Sequence, residues 1–171
     1  MKPLRLRRLC QCAVLCAIIY VFTAWLHVPS FNGYTHVGDG FLYLAASLLP
    51  PPYAVAAGCI GAGLADLLSG YALWTPATLI IKALTALCFT AKSQKVLCRR
   101  NYLALLPALV LCVAGYYGYE CLITGNFIAP LAGIPGYITQ VILSSLVYLL
   151  AGHAMDRSGL KQHLASGEKM G

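Results

Sequence analysis

Long apolar stretches separated by three short basic blocks dominate the chain. The blocks lie at residues 2–8, 92–100 and 157–169, and the first apolar stretch runs over residues 9–91. A membrane-spanning helix needs about 20 apolar residues, and positively charged loops remain in the cytoplasm. Two blocks on one side of a membrane require an even number of crossings between them. Two crossings would leave about half of this apolar stretch unexplained, so it fits four helices. Residues 101–155 fit two more.

The pattern therefore predicts an all-α integral membrane protein with six transmembrane helices and both termini in the cytoplasm. Residues 1–171 form a single membrane domain that ends in a cytoplasmic tail, residues 156–171. Small residues recur every four positions in the third helix, as at Ala54, Gly58 and Ala62, and such spacing lets helices approach closely. The six helices are predicted at about residues 9–28, 38–50, 53–70, 76–91, 101–123 and 135–155.

Composition supports the bilayer as the solvent of this chain. Hydrophobic residues make up 60% and charged residues 10%, whereas soluble domains have about 45–50% and 25%. The net charge of +7 does not favour nucleic-acid binding, because all the basic residues except Lys82 are confined to the three blocks. The eight cysteines include no CxxC pair and no zinc-ligand spacing, so we predict neither a metal site nor a cofactor.

Four ionisable residues stand inside or beside the predicted helices. They are Asp39, Asp66, Lys82 and Glu120. An ionisable group inside a span is costly and usually faces the protein interior or a cavity. The short loop between the third and fourth helices predicts an ion pair of Asp66 with Lys82, while Asp39 opens the second helix, where the helix dipole favours an anion. A purely structural role for these charges remains an alternative.

Aromatic and polar residues concentrate at the predicted outer end of the bundle. Small-molecule sites combine apolar walls with a few placed polar groups, although aromatic residues also anchor helices at membrane interfaces. We find no hydrolase, metalloprotease or phosphate-loop motif, so the sequence predicts a binder or carrier and not an enzyme. The predicted substrate-binding residues are Tyr34, His36, Asp39, Asp66, Trp74, Thr78, Lys82, Tyr116, Glu120 and Gln140.

The ligand that suits these residues best is a flat, nitrogen-containing heteroaromatic. The carboxylates accept hydrogen bonds from ring nitrogens or amino groups, and Trp74 offers a face for stacking. A sugar would want more amide side chains, and a polyanion would want Lys or Arg in the outer loops, which carry none. Thr78 adds a hydroxyl to the same set.

Three segments of the chain resemble the substrate-binding S components of energy-coupling factor (ECF) vitamin transporters. They are the AxxxA pair Ala13 and Ala17, the segment Val37-Gly38-Asp39, and the run from Gly61 through Asp66 and Trp74 to Lys82. The last run resembles the signature of the riboflavin, thiamin and hydroxymethylpyrimidine-like branch. The resemblance is most specific over residues 33–83.

The resemblance implies that the chain is the substrate-capture subunit of an ABC-type importer in the bacterial plasma membrane. Such a subunit binds a vitamin or precursor from outside and docks on a transmembrane coupling (T) subunit driven by two ATPase subunits. Ala13 and Ala17 are then the docking residues, and a thiamin- or pyrimidine-like compound is the expected ligand, ahead of riboflavin or pyridoxine-type compounds. A stand-alone secondary carrier and a membrane protein without a transport role are the alternatives.

Overall fold

The computed structural model describes residues 3–30 and 33–166 and confirms an all-α membrane architecture. Lys2 and Lys169, which belong to the first and third basic blocks, lie outside the described residues. The elements are α1 (Pro3–Ala24), β1 (His27–Ser30), β2 (Gly33–His36), α2 (Gly38–Leu48), α3 (Pro51–Leu68), α4 (Thr75–Cys88), α5 (Arg99–Leu103), α6 (Leu105–Thr124), α7 (Ile134–Ser158) and α8 (Leu160–Ser166). We call the end with the β-hairpin the outer end and the end with the loop 89–98 the inner end.

Within the described residues, four helical segments are long and apolar enough to cross a membrane. They are Leu4–Ala24, Pro51–Leu68, Arg99–Thr124 and Ala129–Ser158, and the segment Ala72–Cys88 is a shorter apolar helix. Large apolar side chains on their outward faces are exposed, among them Leu68, Val110 and Leu122. Such an apolar surface is suited to contact with lipid acyl chains.

The short helix α2 lies at the centre of the bundle. It contacts α1, α3, α4 and α7, and α6 packs between α4 and α7 on the far side. Nearly every residue of α2 is buried, with Leu42 and Ala45 completely so. With 11 residues, α2 is only about 17 Å long at 1.5 Å per residue. The helix therefore begins inside the bundle and does not reach the outer surface. This leaves room above its first turn at the outer end.

Glycines set the closest helix approaches. A Cβ on Gly61 of α3 would lie 2.7 Å from the backbone oxygen of Cys16 in α1. A Cβ on Gly40 of α2 would lie 2.6 Å from the backbone oxygen of Ser144 in α7. The predicted small-residue packing of the third helix is confirmed by the first of these contacts.

Several predicted helix bounds differ from those observed. The first helix ends at Ala24 and not near residue 28, because residues 27–30 and 33–36 pair as antiparallel strands, with His27 opposite His36. Pro51 and Pro52, which lie between the predicted second and third helices, open α3, where a missing amide hydrogen costs nothing. The last long helix continues to Ser158 and ends at Gly159, whose φ is 65°, and α8 occupies much of the predicted tail.

A buried polar network holds the inner end together. The Asn101 amide nitrogen donates to Ser47 Oγ (3.0 Å) and to the backbone oxygen of Val96 (2.8 Å). Both carboxylate oxygens of Asp156 accept backbone N–H groups, from Val96 at 2.7 Å and Leu97 at 2.9 Å. These bonds fix the inner loop against α2 and α7, so the inner end is rigidly tied while the outer end is closed mainly by side chains.

Candidate functional site

A small pocket lies at the outer end above the first turn of α2. Its volume is about 30 Å³, far below the roughly 300–1,000 Å³ of pockets that hold drug-sized ligands. Any larger occupant therefore requires side chains to move. The pocket is lined by Tyr34, His36, Asp66, Trp74, Thr78, Tyr116, Tyr137 and Gln140, a set that includes seven of the ten residues predicted from the sequence.

A buried ion pair of α4 with α2, which we call the floor, lies beneath the pocket; Asp39 and Lys82 do not line the pocket, whereas Gln140, which bonds to Asp39, does. Lys82 Nζ lies 2.7 Å from Asp39 Oδ1 and 2.8 Å from Oδ2, and the Gln140 amide donates to the same Oδ2 at 2.9 Å. All three side chains are buried. The predicted pairing of Lys82 with Asp66 is therefore wrong. The reason is packing, because α4 also contacts the central helix α2, and Lys82 extends toward it.

Asp66 faces the pocket with one carboxylate oxygen unpaired. The Tyr34 hydroxyl, from the hairpin, donates to Asp66 Oδ1. Oδ2 is buried and, among the described residues, makes no hydrogen bond of regular geometry, although the Thr78 hydroxyl lies close to this carboxylate. A buried acceptor without a donor costs roughly 1–3 kcal/mol, so this oxygen is a natural place for a ligand N–H group.

Tyr34 makes the hairpin part of the pocket wall. Its ring centroid lies 4.5 Å from that of Tyr71 and 5.4 Å from the His36 ring. Thr35 Oγ1 also donates to the backbone oxygen of Gly136 at the start of α7, with a distance of 3.3 Å. The hairpin thus bridges α3 and α7 across the opening between them.

An aromatic wall stands opposite Asp66. The rings of Tyr116 and Tyr137 are stacked, with centroids 5.3 Å apart, and Trp74 meets Tyr116 edge-on at 6.0 Å. The Tyr116 hydroxyl shares a hydrogen bond of 3.0 Å with Thr78 Oγ1. The wall therefore presents flat apolar faces together with hydroxyl groups on one side of the cavity.

Tyr137 was missed by the sequence analysis. It precedes Gln140 by three residues and therefore shares the helix face that points Gln140 inward. This spacing was the signal that could have found it, but Tyr137 resembles an interface residue near the start of the helix. Its inward position is confirmed by its contact with Tyr116.

Glu120 and His36 act at the edges of the pocket. Glu120 is buried and outside the pocket lining, and its Oε2 accepts a hydrogen bond of 3.1 Å from the Tyr137 hydroxyl. It therefore positions Tyr137. His36 is buried in β2, and its Nδ1 accepts the Gly38 N–H at 3.2 Å. A neutral imidazole that accepts at Nδ1 carries its hydrogen on Nε2, which makes His36 a donor.

The predicted docking residues lie far from this pocket. Ala13 and Ala17 are exposed on α1, whereas Cys12, Ile19 and Thr23 of the same helix are buried. The two alanines thus face away from the bundle, and neither contributes to its core. Such a small-residue patch leaves room for a second helix to approach α1.

The site suits binding and carries no arrangement for bond chemistry. No group of three or more His, Cys, Asp or Glu residues capable of holding a metal ion occurs among the described residues. The pocket offers an acceptor at Asp66, a donor at His36 Nε2, and aromatic faces. This set recognises a planar polar ring through its edge and its faces together.

Comparison with known protein families gives a match over most of the chain. A family model described as "ECF-type riboflavin transporter, S component" matches residues 4–157, which include every residue of the pocket and both exposed alanines of α1. A search of curated proteins finds no match.

Proposed function

Because the chain belongs to the ECF-type riboflavin transporter S component family, we propose that it captures a flat heteroaromatic vitamin or vitamin precursor in the pocket at its outer end. Members of this family are substrate-binding transporter subunits and not enzymes. The observation that carries the proposal is the unpaired, buried Oδ2 of Asp66 beside an aromatic wall. A ring with an N–H or amino edge satisfies both features at once.

A thiamin- or pyrimidine-like compound is the preferred ligand. Its amino group would donate to Asp66, and its ring would stack against Trp74 or Tyr116. The small volume also favours a compact ring. Riboflavin, which the family description names, is the second candidate, because its ring system is likewise flat and carries an N–H edge.

Ligand entry requires movement of the hairpin side chains. Tyr34 bonds to Asp66 and lines the pocket, so a ligand that reaches Asp66 must displace or rotate it. The floor of Asp39, Lys82 and Gln140 keeps its mutual bonds throughout. Binding therefore exchanges one hydrogen bond of Asp66 for another and fills the vacant acceptor.

The energy for uptake comes from partner subunits in this proposal. The chain docks on a T subunit in the bacterial plasma membrane, and two ATPase subunits drive the release of substrate inside. The exposed pair Ala13 and Ala17 is the proposed contact on α1. A stand-alone secondary carrier would instead move substrate in vesicles that contain this chain and no ATPase.

We propose six membrane crossings with both ends of the chain inside. The variant Asn126→Cys should react with a membrane-impermeant maleimide on intact cells, since Asn126 lies in an exposed loop at the outer end. The wild-type protein, whose thiols at Cys10 and Cys98 lie toward the inner end, should react only after the cells are opened. Labelling of Cys98 from outside would reverse the proposed orientation.

The variant Trp74→Ala should weaken ligand binding by about 1–3 kcal/mol, by analogy with base–aromatic stacking. Isothermal titration of the purified protein measures the change. Trp25→Ala is the matched control, because Trp25 is 78% exposed and lies outside the pocket. Equal affinities of the Trp74→Ala variant and the wild type would place the ligand elsewhere.

The variant Asp66→Asn tests the acceptor directly. Asn keeps an oxygen for the Tyr34 hydroxyl but presents an NH₂ group where a ligand N–H would donate. We expect at least a tenfold loss of affinity, which corresponds to about 1.4 kcal/mol, with little change in the unfolding midpoint. Unchanged affinity in a folded variant would remove Asp66 from the ligand contacts.

A further inference from the structure

A second cavity lies at the inner end, on the opposite side of the protein from the candidate vitamin site. Its volume is about 310 Å³, and it lies between α1, the end of α2, the loop 91–94 and α8. Gln11, Val14 and Leu15 of α1 form one wall, and Leu48, Lys92 and Lys161 contribute to the others. No part of the proposed vitamin capture uses this cavity.

Lys161 brings a positive charge to this cavity, and among residues 3–30 and 33–166 its ammonium group forms no ion pair with a carboxylate. Its side chain is only 8% exposed, and its Nζ donates to two backbone oxygens, those of Ser47 (2.7 Å) and Lys95 (3.3 Å). An ammonium group has three hydrogens, so one remains for an occupant. Burial lowers the pKa of Lys161, and a bound anion would offset the cost of burying its charge.

The remaining polar lining strengthens the preference for an anion. Lys92 supplies a second ammonium group, and the side chains of Gln11, Ser93 and Gln94 supply donors. None of the lining residues is Asp or Glu. The cavity is therefore electropositive and rich in hydrogen-bond donors, as a phosphate group requires.

The apolar wall indicates that the anion carries a hydrocarbon chain. Val14 lines the cavity and is 59% exposed on the side of α1 that faces away from the bundle. The cavity therefore lies beside the face that meets lipid. Leu15 and Leu48 extend this apolar surface inward. A soluble anion would gain nothing from these side chains, whereas the glycerol and upper acyl carbons of a lipid would be buried against them.

We propose that this cavity binds the headgroup of an anionic phospholipid from the cytoplasmic leaflet, with the phosphate at Lys161 and Lys92 and the acyl chains along Val14. Anionic lipids attract basic groups at this depth. Gln11 and Leu15 lie about 160° around α1 from Ala13 and Ala17 at 3.6 residues per turn. The headgroup therefore lies on a different face from the proposed docking contact, whereas the acyl chains pass beside that contact, because Val14 is about 60–100° from Ala17 and Ala13.

Native mass spectrometry of the detergent-purified full chain tests the proposal. Phosphatidylglycerol should be retained more strongly than phosphatidylcholine at equal concentration. The variant Lys161→Gln should lower the retention of phosphatidylglycerol about fivefold, the expected effect of one basic group near an anionic surface. Lys95→Gln is the matched control, since Lys95 is an exposed basic residue that does not line the cavity.

A second variant covers the case in which Lys161→Gln does not fold. Val14→Trp fills the lipid-facing side of the cavity and should also reduce retention, whereas Val21→Trp, an exposed position on the same helix near the outer end, should not. Equal retention of both lipids, or unchanged retention in folded Lys161→Gln and Val14→Trp variants, would overturn the proposal. Displacement of the lipid by millimolar inorganic phosphate would identify a free-anion site instead.

Discussion

Replacing Lys82 with Met should lower the free energy of unfolding by about 3–5 kcal/mol, because it leaves a buried carboxylate without its counter-ion. Lys82 is 1% exposed and lies 2.7 Å from Asp39 Oδ1. Its ammonium group also lies 5.4 Å from the centroid of the Tyr116 ring. Chemical denaturation of the detergent-purified protein measures the loss.

Two further variants separate the lost ion pair from a general effect of removing lysine. Adding Asp39→Asn to Lys82→Met removes the uncompensated charge and should restore part of the stability. Lys95→Met removes an exposed lysine and should stay within about 0.5 kcal/mol of the wild type. A Lys82→Met protein as stable as the wild type would contradict a structural role for the buried pair.

Substituting Trp for Ala13 or Ala17 should abolish uptake in cells that express the T and ATPase subunits, while the purified variants bind ligand as well as the wild type. Both alanines are exposed on α1, so a bulky side chain there has space within this fold. It would, however, hold a partner helix away from α1. Uptake of labelled vitamin and titration of the purified protein measure the two effects separately.

The control for this pair is Trp at another exposed apolar position. Leu146→Trp places the same bulk on α7, where Leu146 is 53% exposed, and should leave uptake intact. If uptake survived in both alanine variants, docking would use another surface. Loss of binding together with uptake would instead assign Ala13 and Ala17 a role in folding.

Helical periodicity explains why much of the pocket is predictable from sequence. Thr78, Lys82 and Thr85 recur at spacings of four and three, which places them on one helix face, and all three are buried. Gln140 and Ser144 follow the same rule and are also buried. Local spacing therefore indicates which side chains point inward even when their partners are unknown.

The partner of Lys82 depends on information that local spacing does not carry. Asp66 is closer in sequence and is joined to α4 by a short loop, which favoured the wrong pairing. Asp39 becomes the partner because the short α2 packs in the centre of the bundle against α4. Such an arrangement follows from the packing of distant segments, which no single helix pattern encodes.

The pattern of apolar and polar residues did not predict the hairpin either. The segment before Gly38 is short and contains Pro29, and within the described part of the chain its two strands form a sheet of their own. It gains its place through contacts with other elements, namely Tyr34 with Asp66 and Thr35 with Gly136. These long-range contacts turn a predicted loop into a wall of the pocket.

The two sides of the pocket differ in how firmly they are held, and this difference determines where a ligand can enter. The floor is an ion pair with an additional amide bond and is wholly buried. The opposite side is held by the hydrogen bond of Tyr34 and by aromatic contacts. Rotating these side chains costs less free energy than separating a buried ion pair. A ligand is therefore expected to open the hairpin side while the floor stays in place.

The most direct test is a fluorescence titration of the Trp25→Phe variant with thiamin, a hydroxymethylpyrimidine, riboflavin and pyridoxine. The chain has two tryptophans, so in this variant Trp74 is the remaining one and reports on the pocket. Saturable quenching by one of these compounds, lost when Asp66→Asn is added, is the result that this account predicts. A folded protein whose Trp74 fluorescence responds to none of them would contradict capture of a heteroaromatic vitamin in this pocket.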